Sequence, residues 1–214
     1  CWVCLGSGAF ISLGDQTLTE KIILEESPSM RTRRVNGTKK LSKLLIKVQK
    51  PEEIEALLAE NPDVDKLYQG PKGYAFETTS PEGDCVFLYA DDDLSDLKEL
   101  IEVLCFKKID NFSGISQFAV SKVEINVPDV LKAEQFYANI SNTLDFLAFQ
   151  KANGTDLQVD SDATWDVTSL KFQVSLLDID HLHTIFSGRN VFVPKSNTFF
   201  LSKDDSNIEL WFEA

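Results

Sequence analysis

The sequence predicts an α+β fold of tandem βαβββ repeats forming two domains, the first lacking its opening strand and helix. Three observations lead there. Strand and helix signals recur in one order along the chain, and the closing strands of two repeats align residue on residue, with Val86-Phe87-Leu88-Tyr89 over Ile208-Glu209-Leu210-Trp211. The composition, 43% hydrophobic and 26% charged over 214 residues, is that of a globular chain long enough for two small cores.

The segments Ala9 to Leu13 and Lys21 to Glu26 read as closing strands of a repeat whose opening half is absent. Lys43 to Val48 alternates as a strand and meets Pro51-Glu52-Glu53, where a first-turn proline and acids beside it start a helix carrying Ile54, Leu57 and Leu58 on one face. Strands follow at Lys66 to Gln69, Tyr74 to Thr79 and Cys85 to Ala90, the last two joined by the turn Ser80-Pro81-Glu82-Gly83-Asp84. Apolar residues at 94, 97, 100, 101 and 104 behind Asp91-Asp92-Asp93 have helical spacing and predict a connecting helix. A third repeat opens at Ser121 to Val127, continues in an amphipathic helix through Leu131, Phe136, Tyr137 and Ile140, and closes near Phe146 and Leu157. The fourth runs from Leu170 to Ser175 through a helix at Asp178 to Phe186, then strands near Val191, at Thr198 to Leu201 and at Ile208 to Phe212. The expected domains are 1–92 and 117–214, with 93–116 as connecting helix and linker.

A net charge of -13 argues against nucleic acid as the main partner, because phosphate backbones are bound by surplus Lys and Arg. No run is apolar enough for a membrane span or a signal peptide, which predicts a cytoplasmic protein and leaves surface or extracellular release open. Cys1, Cys4, Cys85 and Cys105 form no secreted disulfide framework, and Cys1-Trp2-Val3-Cys4 precedes Gly6-Ser7-Gly8 where a redox motif would precede a helix; it reads as an incidental terminal segment.

Paired βαβββ units closing on an Ile-Glu-Leu hairpin strand resemble the vicinal oxygen chelate superfamily, the fold of glyoxalase I and bleomycin-resistance proteins. Val123-Glu124-Ile125-Asn126-Val127-Pro128-Asp129 followed by Phe136-Tyr137 is similar to its opening strand and helix. More narrowly, Gly8 to Asp15, Ile23 to Arg33, Ile46-Lys47-Val48 and Glu53 to Leu58 resemble the bacterial CppA family, named as complement C3-degrading proteinase. Only Cys1 to Ser7 falls outside that resemblance, and the abrupt start suggests a truncated or altered amino terminus. The resemblance implies complement C3 as a partner and proteolysis as an activity.

Metal-dependent members of the superfamily hold their ion with a His or Gln on the opening strands and a Glu on the closing strands. Alternation turns Val123, Ile125 and Val127 under the helix and Lys122, Glu124 and Asn126 toward the cleft. The resemblance puts Lys122 at the His position there, and Lys43, with Lys47 on the same side, in the first domain. Among the closing strands Glu209 keeps the ligand type and Phe87 replaces it, while Glu25, or Glu26 in the other register, is a further acid. A protonated lysine has no lone pair and repels a divalent cation, so no catalytic metal and no cofactor are expected. Lys122, Glu124 and Glu209 then either compensate one another's charge, or the lysines of the cleft, with Phe87, Tyr89 and Trp211 as walls, hold an anionic small molecule.

Protease chemistry finds little in the chain. The His-Glu-x-x-His, Asp-Thr/Ser-Gly and Gly-x-Ser-x-Gly patterns are absent, and the only histidines, His181 and His183, stand two apart on a predicted helix and so face different sides. One basic segment interrupts the acidic background: Arg31, Arg33, Arg34, Lys39, Lys40, Lys43, Lys47 and Lys50 lie within 31–50 around an Asn36-Gly37 turn. It is either a solvated loop that balances neighbouring acids or a docking surface for an anion or protein partner. A second copy of the chain is a further candidate partner, since a domain lacking its opening strand leaves a sheet edge to cover.

Overall fold

The computed structural model describes residues 3–7, 10–15, 17, 20–25, 33–36, 38–60, 62–80, 83–101, 104–140, 145–155, 158–160 and 166–214; at 3–7, 10–13, 20, 25, 33–36 and 158–160 only the backbone is described. In chain order the elements are β1 (Val3–Ser7), β2 (Phe10–Gly14), β3 (Glu20–Glu25), β4 (Arg33–Asn36), β5 (Leu41–Val48), α1 (Pro51–Ala59), β6 (Lys66–Gly70), β7 (Gly73–Thr79), β8 (Cys85–Tyr89) and β9 (Lys98–Leu100). They continue with β10 (Phe118–Val127), α2 (Val130–Ile140), β11 (Leu147–Lys151), β12 (Gln158–Asp160), β13 (Ser169–Gln173), α3 (Ile179–Ile185), β14 (Phe199–Lys203) and β15 (Glu209–Glu213). Among the described residues no helix is long and apolar enough to cross a membrane.

Two compact units divide the chain, Cys1–Thr32 with Ser42–Glu124 and Arg33–Leu41 with Ile125–Ala214. In the first, β1, β2 and β3 form an antiparallel meander, Val3 opposite Gly14 and Phe10 opposite Glu25. Val3 and Cys4 therefore sit in a paired strand, while Cys1 and Trp2 fall outside the described residues. The larger sheet of this unit runs β10, β5, β8, β7, β6, β9, with β5 and β8 parallel as a βαβ crossover requires. Pro51 stands at the start of α1 with Glu52 and Glu53 in its first turn, where acids complement the helix dipole. The helix lays Ile54 and Leu58 on Ile46, Val48, Phe76 and Leu88 to form the core of that face.

The connecting helix expected behind Asp93 is not formed. Asp93 caps a single 3₁₀ turn at Leu94–Asp96, and the chain then extends as β9, Leu100 opposite Leu67 of β6. The spacing at 94, 97, 100, 101 and 104 suits either period over so short a run, and the unpaired backbone of β6 decides for the strand. Asp91, buried just after β8, accepts the Lys72 amide at 3.0 Å and so fixes the turn between β6 and β7. A Cβ at Gly70 would lie 2.7 Å from both Asp91 Oδ2 and Leu97 Cδ2. Gly70→Ala is accordingly expected to cost about 1–3 kcal/mol by overpacking, seen as a lower urea midpoint at unchanged slope.

In the second unit the end of β10 leads into α2, and β11 returns so that Ala152 donates to the Val127 carbonyl at 2.9 Å. β12 pairs with β4, Gln158 opposite Asn36 and Asp160 opposite Arg33. The last repeat has β13 parallel to β15, with β14 antiparallel beside it. Between α3 and β14 the strand expected near Val191 is reduced to one bridge, Phe192 to Leu201. Phe172, Phe186, Phe200 and Phe212 form the core, all at most 6% exposed.

Candidate functional site

On β5 the side chains alternate. Ile46 and Val48 pack under α1, while Leu45 turns to the opposite, concave face among Ala75, Phe87 and Tyr89, with Tyr68 and Leu97 against them. Lys43 and Lys47 flank Leu45 on that face. Register places Leu45 beside Phe87, Lys47 beside Tyr89, and Glu77 of β7 across from Phe87. The Lys43 ammonium then reaches Glu77, Nζ to Oε1 2.7 Å, and the Tyr68 hydroxyl donates to the same oxygen at 3.2 Å. The ammonium also stands 6.0 Å from the centre of the Phe87 ring.

Beneath this cluster the Phe87 and Tyr89 rings lie nearly parallel, 5.6 Å apart, and Tyr68 meets Phe87 edge-on at 5.4 Å. The Tyr89 hydroxyl bonds Ser121 Oγ at 2.9 Å, which itself donates to the Leu45 carbonyl at 3.0 Å. Phe87 and Tyr89 are only 7% exposed and Ala75 is fully buried, so these aromatics fill the concave face. Burial alone would lower the Lys43 pKa, but the bond to Glu77 and the charges of Glu77, Cys85 and Glu124 raise it, and the side chain is a firm cation. Burial and then Glu77 push the Tyr68 hydroxyl up to about 12. The Cys85 thiol is also pushed up, chiefly by burial against the opposing pull of Lys43, which leaves it a thiol with little nucleophilic character. At the rim, Lys47 and Lys72 each hold Asp92 at 2.9 Å, which lowers that carboxyl to about 2.

The last repeat shows the same face with different side chains. Lys171 takes the place of Lys47 beside Trp211, and Lys203 opposite Glu209 takes that of Glu77 opposite Phe87. Glu209 pairs with Lys203 at 3.4 Å, Lys171 with Glu213 at 2.9 Å, and the Lys171 ammonium lies 5.7 Å from the Trp211 ring. Phe199 stacks on Trp211 at 4.3 Å. The indole N–H is buried with no hydrogen-bond partner among the described residues.

The residues singled out from the sequence are thus divided. Lys43, Lys47, Phe87 and Tyr89 come together on one face of the first unit, and Lys122 and Glu124 belong to that unit through β10. Glu209 and Trp211 stand in the second unit. Glu25 lies in β3 and Arg33 and Arg34 in β4, with backbone alone described, while Glu26, Arg31 and Gly37 fall outside the described residues. In the basic segment the main chain is anchored: Asp166 accepts the Lys40 and Leu41 amides at 3.0 and 3.1 Å, and Asn126 Nδ2 donates to the Lys39 carbonyl at 2.9 Å. Sequence reasoning missed Tyr68, Glu77 and Ser121. Glu77 carried a usable signal, being a charge two residues beyond Ala75 on a strand whose alternation points both inward.

The histidines stand on α3, where Asp178 spends its carboxylate on the His181 amide at 3.0 Å, an N-cap bond that leaves the imidazole unoriented by it. The His183 ring meets Phe200 edge-on at 5.3 Å. A separate cavity of about 260 Å³ opens in the second unit between the start of α2 and the β14–β15 turn. At its base Tyr137 donates to Asp204 at 2.9 Å, and Asp204 also accepts the Ser206 and Ile208 amides. At the cavity edge Asp205 binds Lys132 and Arg189, each at 2.7 Å.

A βαβββ module with a concave sheet face, answered in the last repeat by β13, α3, β14 and β15 with one bridge in place of the missing strand, is the pattern of the vicinal oxygen chelate class. A likeness of fold agrees with this: the crystal structure of a protein provisionally assigned as a dioxygenase from Bacillus subtilis subsp. subtilis str. 168 has a TM-score of 0.56 at 12% identity, over 95% of this chain and 71% of that one. Within the class, the chain belongs to the CppA family. The family's N-terminal part, CppA N-terminal, matches residues 3–100, and CppA C-terminal matches residues 115–212. The crystal structure of cppA protein from Streptococcus pneumoniae TIGR4 is 41% identical with a TM-score of 0.79, over 98% of this chain and 85% of that one. No curated protein matches the chain. Since the family match begins at residue 3, most of the segment Cys1 to Ser7 that stood outside the resemblance belongs to it.

The class often carries a divalent ion on the concave face, and the side chains here do not fit one. Lys43 offers an ammonium without a lone pair and Phe87 offers no donor, and among the described residues no three His, Cys, Asp or Glu side chains gather to hold an ion.

Proposed function

We propose that this CppA protein acts by binding a macromolecular partner, complement C3, and that the loss of C3 associated with the family name does not arise from a metal or a peptidase centre in these two units. The observation that carries this reading is the Lys43–Glu77 ion pair at 2.7 Å, which sets a cation of the chain itself where the resemblance to the class puts a metal ligand. The engagement of Asp178 as a helix cap adds to it, because a His base needs an orienting partner. For the docking surface we propose the basic segment Arg31, Arg33, Arg34, Lys39 and Lys40, a concentration of cations in a chain of net charge -13. The alternative, an anionic small molecule anchored by Lys43, would have to compete with Glu77 for an ammonium already paired.

Purified protein incubated with C3 is expected to bind it without cleaving it, and Arg31→Ser with Arg33→Ser and Arg34→Ser is expected to weaken binding at least ~10-fold, more so at low salt. Cleavage of C3 that vanishes in His181→Ala or His183→Ala would sink the proposal, and so would stoichiometric transition metal in the wild-type protein.

A further inference from the structure

We infer that Lys43 is a built-in substitute for a metal ion: its ammonium provides, from within the chain, the positive charge that gathers the polar groups of the first unit's concave face. This inference rests on the metal-free reading above and extends it to a specific role for one residue. The Lys43 nitrogen has what a cation site requires. One carboxylate oxygen, Glu77 Oε1, lies at 2.7 Å, and the Tyr68 hydroxyl donates to that same oxygen at 3.2 Å, so the ammonium gathers the hydroxyl through the carboxylate. The Phe87 ring turns a face toward the ammonium at 6.0 Å, and the charge of Glu124 adds to its attraction. Both partners of the pair are shielded, with side-chain exposures of 27% for Lys43 and 14% for Glu77. A divalent ion would bring further ligands and an exchangeable coordination position, whereas an ammonium is saturated by hydrogen bonds and cannot act as a Lewis acid.

If Lys43 stands in for an ion, exchanging it for a ligand should reopen the position to one. Glu77 and Phe87 are directly opposite across β7 and β8, and Lys43 is one diagonal step away, so Lys43→His with Phe87→Glu joins Glu77 in a set of one imidazole and two carboxylates. Cobalt(II) is the probe, read by the visible d–d absorption of a low-symmetry site and by calorimetry. The double variant is expected to bind one Co²⁺ per chain at least ~10-fold more tightly than wild type. A folded double variant, with wild-type circular dichroism, that binds cobalt no better than wild type would overturn the inference while leaving the metal-free reading intact. Stoichiometric metal in the wild type would overturn both.

Should the double variant not fold, a cycle of single changes decides. Lys43→Met should lower the melting temperature, and Glu77→Gln on that background should restore part of it, since removing the cation strands a shielded carboxylate. Equal melting temperatures for Lys43→Met and wild type would show that the ammonium gathers nothing.

Discussion

Phe186→Ala is expected to destabilise the second unit by about 3–5 kcal/mol, the largest single effect we foresee. Phe186 is fully buried at the end of α3, with its ring centre 5.5 Å from Phe136, 5.4 Å from Phe200 and 6.1 Å from Phe212. Its removal leaves a cavity bounded by α2 on one side and two strands on the other, elements too constrained to collapse into it. For a unit of this size the melting temperature should fall by more than about 10 °C, followed by circular dichroism. Phe186→Leu, which keeps most of the volume, should recover more than half of the loss. Equal effects of Ala and Leu would mean that the ring contacts, rather than the filled space, hold the cluster together.

Asp15→Ala is expected to cost about 2–4 kcal/mol in the first unit and to remove part of its acid sensitivity. The Asp15 side chain is 1% exposed; Oδ2 accepts the Phe118 amide at 3.1 Å, and Oδ1 accepts the Thr17 amide at 2.9 Å and the Thr17 hydroxyl. Burial on its own would raise this carboxyl, but the bonds from Thr17 and Phe118 and the charge of Lys21 outweigh it and hold the group below its ordinary value of 3.8. A depressed folded-state pKa contributes stability that is complete above the unfolded value and is lost as pH falls through the folded one. Wild type should therefore lose this contribution only below about pH 4, and the stability difference between wild type and Asp15→Ala should shrink over that range. A difference that stays constant from pH 6 down to about pH 3, below the ordinary carboxylate range, would assign the effect to packing alone.

The repeats were legible because strand alternation and helix start signals are local. Lys43 to Val48, Pro51 to Leu58 and the two closing hairpins each carry their own pattern, and family resemblance supplied the superfamily. The segment behind Asp93 was misread because its pairing partner, β6, lies some thirty residues earlier, and period alone cannot weigh a sheet edge against a helix. Of the concave face, Lys43 and Phe87 were legible as departures from the metal pattern. Glu77 was readable only as an inward-pointing charge; its meeting with Tyr68 was not, since that depends on strand register, and neither was the packing that leaves Phe87 and Tyr89 filling the face where the sequence suggested walls.

The division of the chain into interleaved units bears on its synthesis. The first unit needs residues up to Glu124, and its bond from the Phe118 amide to Asp15 closes a separation of 103 residues. The second takes Arg33–Leu41 from the early chain and pins Lys40 to Asp166 across 126 residues. A ribosome making this protein amino terminus first cannot release one finished unit before starting the other: the early strand β4 waits for β12, and the first sheet waits for β10. Such non-local closure slows folding and leaves strand edges exposed meanwhile. The strands made first thus wait longest for the partners that cover their edges.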